Sequence, residues 1–245
     1  HLQAIKNAAA GFTALAGEDP TLESLSIWAG SAPDYQLYRL PLYAPVTYTG
    51  TPVAVGNAVC LPYATVDGTY VASISPDGAS CIRADSSYDS RYRALASDGL
   101  RLWEFSFTKD SDLFCQELQQ DDGARELALT IGGATALDAL YNPGAHAVDI
   151  VCSDEDSIEW LRLSADSGLV ETSGTVAAAS ASELHLALSS SSGRPVLLSY
   201  SDGRWRYREL SAADSWDPEE LVDNSGANYA PGALLTATGR TFCYF

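Results

Sequence analysis

Arg101 and Glu117 are the side chains in this chain best suited to holding an oxygen-bearing ligand. Arg101 lies in the run Leu100, Arg101, Leu102, Trp103, and Glu117 in the run Gln116, Glu117, Leu118. A guanidinium presents several donors in a fixed fork and a carboxylate accepts, so the pair can grip hydroxyl or carbonyl oxygens. Glu159 is a further carboxylate, and with Glu117 it can act as proton acceptor or donor. Trp103, Trp160 and Trp205 fall at related strand positions and, with Tyr70 and Tyr207, offer rings for the wall of a pocket. Each has a plainer use as well. Arg101 can pair with Glu104 or Glu117 at the surface, exposed carboxylates are the default in so acidic a chain, and indole rings serve more often as core.

Other chemistries find less support. His146 and His185 stand at no telling distance along the chain from a partner and read as structural or loop residues. There is no Gly-rich phosphate loop, nucleophile elbow or Ser-His-Asp order. The five cysteines, Cys60, Cys81, Cys115, Cys152 and Cys243, show no Cys-x-x-Cys spacing and no histidine at ligand spacing, so neither a metal nor a cofactor is expected. Cys60 and Cys81 fall on what reads as neighbouring strands of one blade, where an oxidising compartment would bridge them, and Cys115 and Cys152 can join adjacent blades. The alternative is that all are buried thiols. An odd count leaves one thiol over; Cys243 is the choice, and an intermolecular bridge through it would make a dimer.

The elements that must position these residues repeat. Tyr92 to Leu118 reads as apolar strand, turn at Asp98 and Gly99, strand, turn at Asp110 to Asp112, strand; the same grammar returns at 147–173 and 184–210, more faintly at 25–48 and 58–84, and truncated at Ala233 to Phe245. Alternation of polar and apolar residues argues strand, and Gly, Asp and Ser supply the turns. Units of roughly 40 to 50 residues with several strands each indicate an all-β propeller. The expectation is one domain over 1–245 with six short blades. The Ala-rich start, Leu2 to Ala16, is then the outer strand of the last blade, closing the ring against Thr241 to Phe245.

Composition bounds the partners. The net charge of −18 excludes a phosphate backbone, and Arg204, Arg206 and Arg208 alternate beside Asp202 and Glu209 rather than forming a patch. No apolar stretch of about 18 residues marks a membrane span. The chain begins at His1 and contains no Met, from which removal of an initiator and a signal peptide, and hence the secretory pathway, is expected; a trimmed boundary accounts equally for the same ends.

The order of elements resembles the six-bladed fungal fucose-binding lectin propeller. The resemblance rests on Leu100 to Trp103 followed by Gln116 to Leu118, and on Tyr207, Arg208, Glu209 and Leu210 followed by Ser215 and Trp216. In that family Arg and Glu hydrogen-bond sugar hydroxyls while an aromatic ring packs on the sugar. At the Arg position the other repeats carry Gln36, Tyr70, Glu159, Val196 and Phe242, so most sites are degenerate. Length, absence of Met, cysteine usage and the degenerate sites are also similar to the tropolonic-sesquiterpene hetero-Diels–Alderases of fungal secondary metabolism. That likeness implies a cofactor-free pericyclase joining a tropolone quinone methide to a humulene-type terpene. Arg101, Glu117 and Glu159 would be catalytic, and Trp103, Trp160, Trp205, Tyr70 and Tyr207 would bind the apolar, oxygenated substrates. The lectin reading makes a sugar the ligand instead, and a purely structural propeller is the third reading.

Overall fold

The computed structural model describes residues 2–4, 13–19, 24–31, 34–41, 46–75, 78–83, 92–107, 112–118, 125–130, 132–189, 191–222, 233–237 and 240–244, which form strands and turns and no helix. The first sheet comprises β1 (Leu2–Ala4), β2 (Thr13–Asp19), β3 (Ser24–Ser31) and β4 (Asp34–Pro41), in that order. The N-terminal stretch therefore belongs to the first sheet and not, as expected, to the last: Leu2 pairs with Gly17 and Ala4 with Leu15. Local pairing closes a short loop, whereas pairing with the far end of the chain must close one spanning nearly all of it.

The second sheet has β5 (Val46–Thr49), β7 (Ala58–Thr65), β8 (Gly68–Ser75) and β9 (Gly78–Arg83) in sequence, with β6 (Val53–Val55) also pairing with β7. This order removes the proposed Cys60–Cys81 disulfide. Cys60 pairs across with Ser73 and Cys81 with Ala72, so β8 runs between them. Two inter-strand spacings, about 9–10 Å, exceed the reach of a disulfide. Cys60, Cys115 and Cys152 are buried thiols, which corrects the Cys115–Cys152 bridge too. The Cys60 thiol donates to Ser73 Oγ at 3.8 Å. The Cys243 side chain lies outside the described residues.

The third sheet is β10 (Arg93–Ser97), β11 (Leu102–Phe107), β12 (Asp112–Glu117) and β13 (Arg125–Thr130). The chain divides into two compact units, His1–Glu126 and Leu127–Phe245, and the boundary falls inside β13. In the first unit, Val53, Val55, Cys60 and Val71 of the second sheet pack on Leu95, Leu102 and Leu118 of the third. The Arg93 guanidinium pairs with Glu104, and both are buried.

In the second unit the fourth sheet is β14 (Ala136–Asn142), β15 (Ala147–Ser153), β16 (Ile158–Ser164) and β17 (Val170–Ala177), and the fifth is β18 (Glu183–Leu188), β19 (Pro195–Ser201), β20 (Arg204–Glu209) and β21 (Glu220–Leu221). β22 (Ala233–Ala237) and β23 (Arg240–Tyr244) pair only with each other among the described residues. Among the described residues four sheets thus have the four-stranded blade pattern, and six complete blades closed by the terminal strands are not seen. Between β19 and β20 the two-residue turn Asp202-Gly203 has both φ values positive, 52° and 72°, as a tight hairpin between right-twisted strands requires.

The fourth and fifth sheets share a core in which Leu140, Val151, Ile158 and Trp160 meet Leu184, Leu186, Leu197 and Trp216. Buried polar bonds stitch the same seam: Leu186 N donates to Asp138 Oδ2 at 2.7 Å, Ala181 N to Ser153 Oγ at 2.8 Å, and Thr135 Oγ1 to Ala181 O at 2.7 Å. Inside the fourth sheet, Asp149 has no solvent exposure. It accepts from Trp160 Nε1 at 2.9 Å, Arg162 Nε at 3.0 Å and Asn142 Nδ2 at 3.0 Å. Burial works against the Arg162 cation, but Asp149 and Asp214 outweigh it and raise its pKa.

Asp149→Ala, which leaves a buried guanidinium without its main counter-charge, is expected to cost about 3–5 kcal/mol in urea unfolding; a loss under about 1 kcal/mol would show that the pair does not hold the sheet. Burial, then the nearby Glu159 and Asp154 carboxylates, push the Cys152 thiol well up, and burial pushes up Cys60. Both thiols should resist alkylation in the native protein and react on denaturation. Because unfolded thiols ionise first, stability should fall as pH rises above the ordinary thiol value; flat stability through that window would contradict the burial.

Candidate functional site

Arg101, Trp103 and Glu117 come together in the third sheet. Asp98 makes the turn that begins β11: its Oδ1 accepts from Leu100 N at 2.9 Å and Arg101 N at 2.7 Å, while its Oδ2 accepts from Arg101 Nε at 2.8 Å. Gly99 beside it takes φ 93°, a conformation that a side chain would strain. So held, the guanidinium lies over the Trp103 ring, 4.8 Å from its centroid. Trp103 is the direct cross-strand partner of Glu117, so the indole and the carboxylate stem share one sheet face. Trp103 is buried and Arg101 and Glu117 are partly exposed. Burial works to raise the Asp98 carboxyl, but the backbone N–H groups of Arg101 and Leu100 and the Arg101 guanidinium prevail and hold it below its ordinary value.

The remaining predicted residues lie apart from this trio. Tyr70, on β8, stacks on Tyr63 with ring centroids 5.2 Å apart. Glu159, on β16 in the second unit, accepts from Thr175 Oγ1 at 3.1 Å. Trp160 is in the core between the fourth and fifth sheets, edge-on to Trp216. Trp205 is fully buried and packs on Tyr200 and His185. Tyr207 is partly buried and donates to Glu209 Oε2 at 3.4 Å. Trp160 and Trp205 thus serve the packing that their strand positions also allowed. Glu104, considered as a partner of Arg101, pairs with Arg93.

A second feature was not read from the sequence. Between the second and third sheets lies an open cleft of about 390 Å³. Val55, Val71, Leu102 and Leu118 give it aliphatic walls, Cys60 and Ser73 a small polar floor, and Asn57 and Leu100 part of its rim. Its rim is braced by Gly56 N donating to Gly99 O at 2.7 Å. Leu102 faces the cleft, so by strand alternation Trp103 and its partner Glu117 are on the opposite face. Only alternation within Leu100 to Leu118 hinted at this division. Among the described residues no group of His, Cys, Asp and Glu is placed to hold a metal ion, and no helix is long and apolar enough to cross a membrane.

No protein-family model matches the chain, and no curated protein sequence does either. Solved structures do resemble it. AofleA from Arthrobotrys oligospora superposes with a TM-score of 0.66 at 11% identity, over 90% of this chain and 71% of that one. A streptogramin B lyase superposes at 0.63 and 10%, over 99% and 75%. A variant of the Aleuria aurantia lectin in complex with Fucα1-6GlcNAc superposes at 0.57 and 9%, over 91% and 79%. At these identities the likeness shows the fold alone, a β-propeller.

The depressed Asp98 carboxyl gives a direct check. It should titrate below the ordinary aspartate range by carbon NMR and climb when Arg101 is replaced by Ala. With a depressed folded pKa, its contribution to stability is present above the unfolded value and is lost as pH falls through the folded one. Titration in the ordinary range would mean that Asp98 does not fix the guanidinium.

Proposed function

We propose that the protein is a carbohydrate-binding, lectin-like propeller whose sugar site is built on Arg101, Trp103 and Glu117. The observation that carries the reading is the fixed guanidinium: Asp98 holds Arg101 over Trp103, the cross-strand partner of Glu117. A preset donor fork and a carboxylate on one face can bracket vicinal hydroxyls with little ordering cost. The reading is supported by the likeness to the Aleuria aurantia lectin, which was solved with a fucosylated disaccharide. Fucose is accordingly the first sugar to test. Among the described residues this reading rests on one such constellation, without the avidity that repeated sites confer.

The aliphatic cleft favours a second reading. Its volume falls within the range of small-molecule sites, and its few polar groups suit an apolar, oxygenated ligand better than a sugar. In this reading the protein is a pericyclase of the hetero-Diels–Alderase type acting on a quinone methide and a humulene-type alkene. Orientation in an apolar cleft would supply much of the rate. Arg101 and Glu117 lie on the opposite sheet face and Glu159 in the second unit, so in this reading the cleft's own Ser73 and Asn57 would make the polar contacts to the ligand.

Titration calorimetry with fucose separates the two. The sugar reading expects saturable heat that falls about ten- to hundredfold in affinity in Arg101→Ala and Glu117→Gln, the loss of charge-assisted bonds. The pericyclase reading expects fucose to be inert, adduct formation to be accelerated with fixed stereochemistry, and Arg101→Ala, on the face away from the cleft, to leave that rate unchanged. Absence of fucose heat together with such acceleration would overturn the first reading in favour of the second.

A further inference from the structure

We propose that Tyr141 is a base-activated nucleophile, an acceptor site for acyl groups, with His146 as its base and Asp166 as the residue that positions that base. His146 bridges the other two: its Nε2 lies 3.0 Å from Asp166 Oδ1 and its Nδ1 lies 2.8 Å from Tyr141 Oη. A carboxylate only accepts, so Nε2 carries the hydrogen. Nδ1 of the neutral ring is then an acceptor, and Tyr141 Oη–H donates to it. This is the order of roles in an acid-base-nucleophile relay, with a phenol in the place of the nucleophile.

The arrangement is built, not incidental to flexible side chains. His146 sits at φ 49°, a left-handed conformation uncommon for a residue with a side chain. Ala165 N donates to His146 O at 3.1 Å, and Asn142 Oδ1 accepts from Gly144 N at 3.1 Å and Ala145 N at 3.3 Å to shape the turn. Asn142 is itself held by the buried Asp149. Two neighbouring hairpin turns of the fourth sheet thus converge at one end, one bringing His146 beside Tyr141 and the other bringing Asp166. His146 and Asp166 side chains are 53% and 76% exposed, so an incoming reagent has access.

With an activated ester as acyl donor, Tyr141 Oη attacks the carbonyl carbon and passes its proton to His146 Nδ1. The new Oη–C bond forms, the bond to the leaving group breaks, and the leaving group departs with the electron pair. The imidazolium, steadied by the Asp166 carboxylate, returns the proton to the leaving group or to water. The products are a Tyr141 aryl ester and the free alcohol or phenol.

The full chain is treated with p-nitrophenyl acetate, nitrophenolate release is followed, and the acetyl group is located by peptide mass analysis. Tyr141 is expected to acetylate at least tenfold faster than the partly exposed Tyr70 or Tyr200. His146→Asn, chosen because Asn tolerates the left-handed backbone, should slow this about 100-fold, the scale of a lost general base. Asp166→Asn, an exposed change that leaves the melting temperature unaltered, should slow it about tenfold, and Asp166→Glu should restore most of the rate. Acetylation of Tyr141 no faster than of Tyr70, labelling confined to lysines, or a rate unchanged in Asp166→Asn would overturn the proposal.

Discussion

A buried arginine must have its carboxylate, and in both units of this protein a sheet is organised around such a pair. In the fourth sheet Asp149, sealed from water, takes bonds from Trp160 and Arg162 on one side and Asn142 on the other. Arg162 extends the link to Asp214. An isolated charge in that place would cost several kcal/mol, so each partner fixes the next. The third sheet repeats the device with Arg93 and Glu104. Such pairs add little net stability relative to apolar residues, but they are intolerant of a register slip, since a shift of one residue would move each charge to the other face.

That intolerance reaches the sites. The Asp149 network holds Asn142, Asn142 shapes the turn, and the turn sets His146 between Tyr141 and Asp166. In the third sheet the Asp98 turn fixes Arg101, while Leu102 and Leu118 form one wall of the cleft. Outer strands are treated differently. β17 is mostly exposed and carries two register irregularities, and β21 is two residues long. Bulged or very short edges are poor templates for another strand, which protects an all-β protein against edge-to-edge association.

The acidic surface follows the same economy of local pairing. Arg206 and Arg208, the densest basic stretch, are both tied to Glu219 at 2.6 Å and 2.9 Å, and they draw that carboxyl below its ordinary value. With a net charge of −18 they are not left as a polyanion site. The propeller carries the Arg101, Trp103 and Glu117 constellation on one face of the third sheet and an aliphatic cleft on the other.

The sequence by itself determined the all-β class, the repeat, and the turns, because each rests on a few consecutive residues. Asp98 with Gly99 and Asp202 with Gly203 make turns wherever they stand, and the repeats read at 92–118, 147–173 and 184–210 each begin within one residue of an observed strand. Burial of the tryptophans was legible as an alternative from their strand positions. Tertiary structure decided what depends on several strands at once. β15 is buried along its whole length, so it lacks the alternation that marks a half-exposed strand. Insertion of β8 between β7 and β9 separates Cys60 from Cys81, and pairing of β1 with β2 moves the N-terminus into the first sheet. The partners of His146 come from a strand end and from the next turn at the same end of the sheet, a convergence that hairpin order permits but that no linear spacing announces. Turn chemistry is local, whereas register, burial and the meeting of side chains are fixed only when strands compete for the same neighbours.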